Sequence, residues 1–458
     1  MGLKLKVALV NWSHLIEDFL DPLGVSLETF QDSFRGSWIF GYIDALRLVG
    51  VETVLFCISA RVAAPWRFTH APTGGPVCML PAPKIYRAVR RQVLNPYAKT
   101  LEEAVGDVGG VRRILLAALK EVAPYLTTPL GWLARELRRE GCNVILCQEY
   151  ENPRFDACLL LGKLIRLPVF ATFQGGNWQL SCLERPVRWL TVRACAGLII
   201  GTRTEMQRVQ VRYRIHPSKV ARIFNPIDVA GWSSIDRNAA RAALGIPTEA
   251  EVVVWHGRID LYRKGLDVLL DAWDRVSRER EGRDLRLLLV GTGEGASELR
   301  ERIAAVRPKG LTWVDRFDHE RVTIQRYLSA ADVYTLPSRH EGFPVAPIEA
   351  MACGLPVVAA DAPGVQDILE NGEASGGLIV QRGDAGALAQ ALGRLLDDKA
   401  WALELGRRAR RRAEACFSLE AVGKQLRQFL LRRKAHDLFR EQIGNDRSPF
   451  FKAPYGHS

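Results

Sequence analysis

The sequence has no long hydrophobic run. Its best candidates, Ile114–Leu119 and Leu285–Val290, span six residues each, against the roughly 18 of a membrane-crossing helix. Its nine cysteines include no Cys-x-x-Cys pair, so neither a disulfide scaffold nor a zinc ribbon is expected. There is no Asp-x-Asp, and none of the eight histidines is paired at ligand spacing; no metal and no cofactor are implied. No zinc-finger or RNA-binding aromatic signature is present, so nucleic acid is not an expected partner. The amino-terminal apolar stretch breaks at Asn11 and meets Glu17 and Asp18, which reads as a first strand and not as a signal peptide.

What is present is an ordinary folded composition, 48% hydrophobic and 25% charged over 458 residues, enough for two to three domains at about 150 residues each. The net charge of +12 is unevenly placed. Residues 1–225 hold 29 basic and 18 acidic side chains, residues 226–400 hold 21 and 27, and residues 401–458 hold 13 and 6. A slightly acidic middle between two basic flanks points the flanks toward an acidic partner or an anionic surface.

Twelve apolar runs of strand length recur along the chain, from Lys6–Val10 to Gly377–Val380, with helical periodicity between most of them. Leu266, Leu269, Leu270, Trp273 and Val276 form one such i, i+3, i+4, i+7 stripe. Alternating strands and helices imply parallel sheets covered on both faces, and twelve strands exceed one such sheet. The fold class is therefore α/β with two doubly wound, Rossmann-like domains facing across a cleft. The boundary is placed at Asn225-Pro226-Ile227-Asp228, giving domains 1–225 and 226–419. Residues 58–135, with Pro and Gly clustered at Ala71–Pro83, read as an insertion in the first domain.

The most informative segment is Arg339–Asp361, RHEGFPVAPIEAMACGLPVVAAD. It follows a strand, Gly342 and Pro344 shape its loop, and Pro347 suits the first turn of a helix. Glu341 in the loop and Glu349 near the helix start then lie at the mouth above the strand's carboxyl end, where open α/β sheets bind ligands. A second block, Val252–Leu270, runs a strand into Gly257 and Arg258 and opens a helix at Lys264-Gly265. Cations at a strand end and a helix start suit a leaving group that gathers negative charge. A third block carries Gly291-x-Gly293 after a strand. Its spacing is wrong for a dinucleotide fingerprint; the glycines either let the loop approach a nucleotide or simply turn it into the helix.

The first of these segments closely resembles the E-x7-E motif of retaining GT-B glycosyltransferases of the group 1, or family 4, class. The resemblance continues through the Gly-Arg … Lys-Gly pattern, Ala330–Ser338 and Phe417–Val422, and so covers about residues 197–430. It implies that Glu341 contacts donor-sugar hydroxyls, Glu349 the ribose, and Arg258 and Lys264 the diphosphate. Gly257, Gly291, Gly293, Gly342, Phe343 and Val345 complete the expected donor site, and the last helix, about 420–458, crosses back to complete the first, acceptor-binding domain. Where many members carry a histidine at a first-domain strand end, this chain has Gln174, which can hydrogen-bond a sugar but carries no proton at neutral pH. Glu149 or Glu151, after another strand, is placed to meet the acceptor. The absence of Asp-x-Asp argues against a metal-dependent GT-A enzyme.

The expectation is a hexosyltransferase that moves sugar from a nucleotide-diphospho-sugar to a sugar, lipid-linked sugar or lipid, with retention and without metal. Alternatives on the same fold are an epimerase or a phosphorylase, and from another class a non-catalytic sugar-nucleotide or membrane-surface binding protein. The basic flanks have two readings. In one, Pro83–Thr100, with Lys84, Arg87, Arg90 and Arg91 interspersed with Ile85, Tyr86, Val89, Val93 and Leu94, lies on an anionic membrane, assisted by Arg407, Arg408, Arg410, Arg411 and Arg412 and by Arg432, Arg433 and Lys434 of the tail. That places the protein in the cytoplasm, peripheral on the inner face of a membrane. In the other, the flanks are a solvated basic face.

Overall fold

The computed structural model describes residues 4–445 apart from 12, 35–37, 93–101, 103–105, 107–108, 174, 176–183 and 317–320, with side chains described up to 432 except that of Trp38. Fourteen strands among these residues form two sheets. The first sheet comprises β1 Lys6–Val10, β2 Glu52–Ser59, β3 Trp66–His70, β4 Gly75–Pro81, β5 Val144–Cys147, β6 Val169–Thr172, β7 Gly197–Ile200 and β8 Val220–Arg222. The second comprises β9 Glu251–His256, β10 Leu285–Val290, β11 Leu311–Val314, β12 Val333–Leu336, β13 Val357–Ala360 and β14 Gly377–Val380. All twelve anticipated strands are present. The two extra ones, β3 and β4, fall in the stretch read as an insertion and extend the first sheet.

The strand orders are β3-β4-β2-β1-β5-β6-β7-β8 and β11-β10-β9-β12-β13-β14. Every pair is parallel except β3–β4. The antiparallel pair sits at an edge, which a short hairpin can reach without a covering crossover. Each sheet is sandwiched between two apolar clusters, as burial on both faces of a parallel sheet requires. Strand order reverses at β1/β5 in the first sheet and at β9/β12 in the second. Those two switch points open a crevice at their carboxyl ends, and the candidate residues lie there.

The chain passes between the domains twice, side by side. Ile227 bridges to Ser418 and its N–H donates to the carbonyl of Phe417 at 2.8 Å. The hydroxyl of Tyr42, on helix Trp38–Leu48, donates to Asn225 Oδ1 at 2.9 Å across the same junction. Helix Leu419–Asn445 then buries Val422, Leu426 and Leu430 in a cluster with β1, β2 and helix Trp38–Leu48 of the first domain. Gly423 permits this packing, because a Cβ there would collide with the carbonyl of Ala45.

One reading of the tail needs correction. Arg407–Arg412 do not join the basic first domain. They lie on helix Lys399–Cys416, whose Ala409 and Ala413 enter the second domain's core. There they are paired: Arg407, Arg408 and Arg411 with Glu404, Arg410 with Glu414 and Arg412 with Glu370.

Candidate active site

The second-domain wall is built around the end of β9. His256 is its last residue, and Gly257 follows at φ 152°, a conformation open mainly to glycine. The chain can therefore turn sharply and present Arg258, which is exposed and in no ion pair with a described residue. The loop after β10 is stitched to this turn: Gly257 N–H donates to Val290 O at 3.0 Å and Ile259 N–H to Thr292 O at 2.9 Å. A Cβ on Gly291 would strike the carbonyl of Gly257, and one on Gly293 the carbonyl of Ile259. Both glycines thus serve the close approach of two loops.

Gly265, at φ 65°, caps helix Leu266–Glu279, and a Cβ on it would strike the carbonyl of Pro337. That contact draws the loop after β12 over the helix start. Arg339 clamps it there with two bonds to Asp267, at 2.7 and 2.8 Å, and lies 4.3 Å over the ring of Tyr262. Lys264 Nζ then meets Glu341 Oε1 at 2.8 Å, so two of the expected residues form one ion pair. Glu349, in helix Ala346–Ala352, receives His256 Nε2 at 2.8 Å. Beneath them, fully buried Tyr334 sets its ring edge against His256, 5.5 Å between centroids. Burial first, then the charges of Glu349 and Glu341, hold its hydroxyl well above the usual phenol range. Among the described residues no group of three or more His, Cys, Asp or Glu could hold a metal.

Gly342 is one of the points where the domains touch. A Cβ on Gly175, in the first-domain loop after β6, would meet its Cα at 2.5 Å, and a Cβ on Gly364 would strike its carbonyl. Phe343 is buried, stacked on Phe224 at 5.4 Å and near Phe417, so its side chain belongs to the domain junction. Val345 packs partly buried against the same core. Gln174 lies outside the described residues.

The first-domain wall is made differently. Arg154 and Arg188 are both buried. Arg154 donates to the carbonyls of Asn11, at 2.6 Å, Ser13 and His14, at 2.8 Å, holding the turn after β1. Arg188 donates to those of Tyr150, Glu151 and Asn152, holding the turn after β5, and pairs with Asp156 at 3.1 Å. Glu149 is buried, stands at φ 152° and accepts Glu151 N–H at 3.0 Å. Its carboxylate supports its own turn. Glu151 pairs with Arg208, which also holds Glu205. Burial, then Arg154 and Arg90, push the imidazole of His14 down to about 3.

Sequence reasoning did not single out His256, Arg339, Arg154 or Arg188. His256 had a signal, as the last strand residue before Gly257-Arg258. The buried arginines had none, because their partners are backbone carbonyls far along the chain.

Residues 250–398 match the family model described as glycosyl transferases group 1, the family to which the motifs pointed. A D-inositol 3-phosphate glycosyltransferase of Kineococcus radiotolerans is 34% identical over 49% of this chain and 54% of its own length. The GDP-mannose-dependent monoacylated alpha-(1-6)-phosphatidylinositol monomannoside mannosyltransferase of Corynebacterium glutamicum is 31% identical over 43% and 51%. The chain spans about half the length of these curated relatives. Similar solved structures are sucrose-phosphate synthase from Thermosynechococcus elongatus, with TM-score 0.64, 21% identity and coverage of 96% and 100%, and Anabaena HepE in complex with UDP, with 0.65, 15%, and 93% and 100%. At such identities the likeness establishes the fold, two parallel-sheet α/β domains of the GT-B kind.

Proposed function

We propose, on the premise that the second domain carries the group 1 glycosyl transferase family, that the whole chain moves a sugar from a nucleotide-diphospho-sugar to an acceptor, with retention and without a metal. The observation that carries this reading is the set at the β9/β12 switch point: exposed Arg258, the Lys264–Glu341 pair and the His256–Glu349 pair, facing the first-domain turns across the crevice. In such a reaction the departing diphosphate gathers charge that preorganised donors must meet, each worth about 10²- to 10³-fold in kcat. Arg258 and Lys264 would supply that charge, helped by the positive end of helix Leu266–Glu279. Glu341 would exchange part of its hold on Lys264 for the donor sugar. Glu349, with one oxygen held by His256, would offer the other to the ribose. Closure at Gly175 and Gly342 would keep water from the donor.

Two names among the similar proteins differ in nucleotide, UDP for the Anabaena structure and GDP-mannose for the Corynebacterium enzyme, so the base is an open variable of the test. UDP-, GDP- and ADP-sugars are to be assayed for nucleotide release, with and without a pool of sugar and lipid acceptors, and with EDTA. The expected result is acceptor-dependent release from one donor, undiminished by EDTA. Conversion of the donor without an acceptor would indicate an epimerase. Tight binding with no release would indicate a binding protein. Loss in EDTA restored by Mg²⁺ or Mn²⁺ would refute the metal-free step.

A further inference from the structure

Helix Gly110–Val122 has two apolar faces. Its inner face sets Leu116 against the core of the first domain, with Leu119 packed beside it. Its outer face carries Val111, Ile114, Leu115 and Val122, exposed at 72, 70, 65 and 41%. With exposed Ala118 these recur at i, i+3/i+4, i+7 and i+11, one unbroken stripe along the helix. A surface helix of a globular domain ordinarily turns polar residues outward, and a contiguous exposed apolar patch marks an interaction site.

The stripe has a basic border. Helix Lys84–Arg90 is its neighbour, since Tyr86, Val89 and Arg90 line one small cavity with Lys120, Ala123 and Pro124. That neighbour exposes Ile85 between Lys84 and half-exposed Arg87, and Arg91 follows at its end. Arg112 and Arg113 are exposed on the striped helix itself, which carries one acid, Glu121; Arg113 lies 3.6 Å from Glu102. His14, from the turn after β1, lines the same cavity, so this face adjoins the first-domain wall of the crevice. The expectation from sequence put the apolar contact on Ile85, Val89 and Val93. The structure exposes Ile85, buries Val89 and leaves Val93 outside the described residues; the larger exposed apolar set stands on helix Gly110–Val122.

We propose that this face, with Val111, Ile114, Leu115 and Val122 at its centre, seats the first domain on an anionic lipid bilayer. The inference rests on the transferase reading only for its purpose, which is to bring an amphiphilic acceptor to the crevice. The occupant follows from charge. A second copy of the chain would press two net-positive faces together. A convex helix offers no groove to a peptide. A bilayer with anionic headgroups accepts the apolar stripe at its acyl boundary and the arginines and lysines among its phosphates.

The test is flotation with vesicles of phosphatidylcholine alone and of phosphatidylcholine with 30% phosphatidylglycerol (about a third anionic, a typical leaflet charge), using the full chain. The variants are Ile114→Asp/Leu115→Asp and Arg112→Glu/Lys84→Glu. Both pairs are exposed, and thermal unfolding checks that each variant folds. The expected result is binding to anionic vesicles only, weakened by salt and reduced about tenfold or more in each variant. Binding of nucleoside diphosphate, measured apart from lipid, stays at wild-type level. Flotation that ignores lipid charge, or that both variants retain, overturns the proposal. So does an absence of vesicle binding joined to a wild-type dimer that Ile114→Asp/Leu115→Asp dissolves, since the stripe then serves self-association. Donor turnover plays no part in these readouts, so failure of the transferase reading is a separate outcome.

Discussion

The two walls of the crevice use cations in opposite ways. In the second domain Arg258 and Lys264 stand at the mouth, one unpaired with any described residue and one on a carboxylate, where charge can be lent to a ligand. In the first domain Arg154 and Arg188 lie inside and spend their guanidinium groups on six backbone carbonyls. A buried charge is costly unless its donors find partners, and these turns supply them for the Nη1 and Nη2 groups of both arginines. One wall therefore presents its cations to the crevice, and the other spends them on fixing loop shape. The comparison breaks if the buried arginines prove dispensable or the exposed ones prove structural.

The largest effect is expected from Arg188→Ala. It removes three carbonyl contacts and leaves Asp156 buried beside an empty space, and stripping one partner from a buried pair costs about 3–5 kcal/mol. Equilibrium denaturation should show the first-domain transition moving to lower denaturant while the second stays in place. Arg188→Lys should not restore it, because one ammonium cannot reach three carbonyls as a planar fork does. A loss below about 1 kcal/mol would mean that other contacts hold the turn after β5.

The exposed pair comes next. Arg258→Ala should lower kcat by about 10²-fold, roughly 2.7 kcal/mol, with the unfolding transitions unmoved. Lys264→Ala should lower kcat comparably but also disturb stability, because it strands the mostly buried carboxylate of Glu341. Lys264→Ala combined with Glu341→Gln should recover the stability and not the rate. Near-normal turnover in Arg258→Ala would remove it from the chemistry.

These contrasts also explain what could be read beforehand. Parallel strands are apolar runs, so twelve stood out, while β4 was hidden among the prolines and glycines of Ala71–Pro83 and β3, Trp66–His70, is a short, largely polar edge strand just before them. Arg258 and Lys264 were legible because an anionic leaving group calls for cations at a strand end and a helix start, and Glu341 and Glu349 because of the E-x7-E spacing above a strand's carboxyl end. Their mutual pairing was not, since it depends on Gly265 and Arg339 drawing two loops together. Arg154 and Arg188 follow no spacing rule, their acceptors being main-chain atoms. Ile114–Leu119 was noticed only as a run too short to span a membrane. That it divides between two faces is a property of what packs against it.

A third expected effect is sensitivity of the first domain to mild acid. His14 ordinarily titrates at 6.5, but burial and two arginines hold it at about 3 in the folded chain. Between those values the unfolded chain binds the proton and the folded chain does not. Stability is therefore full above pH 6.5 and falls with pH, by about 1.4 kcal/mol per unit, or roughly 2 kcal/mol at pH 5. The first-domain midpoint should drop between pH 7 and 5, and His14→Gln should flatten that slope. Equal slopes in wild type and variant would assign the acid loss to other groups.

The smallest effect is the second domain's counterpart to the buried arginines. Arg280 and Arg283 share Asp397 at the surface, with Arg280 Nη2 at 2.7 Å. Their hydrogen bonds and charges, led by those of Arg280, lower the carboxyl to about 2 from an ordinary 3.8. A depressed carboxyl stabilises the fold above its unfolded value, and that contribution is lost as pH falls from about 4 toward 2. Asp397 is 48% exposed, so water and salt screen the trio, and the contribution at neutral pH should stay below about 1 kcal/mol. Asp397→Asn should thus shift the second-domain midpoint slightly at pH 7, less in 0.5 M salt, and converge on wild type near pH 2. A loss of several kcal/mol that salt leaves untouched would rank Arg280 and Arg283 with buried Arg241, which holds the carbonyls of Ala330 and Thr248, as structural arginines of this domain, and the reading of the trio as a screened surface cluster would then fail.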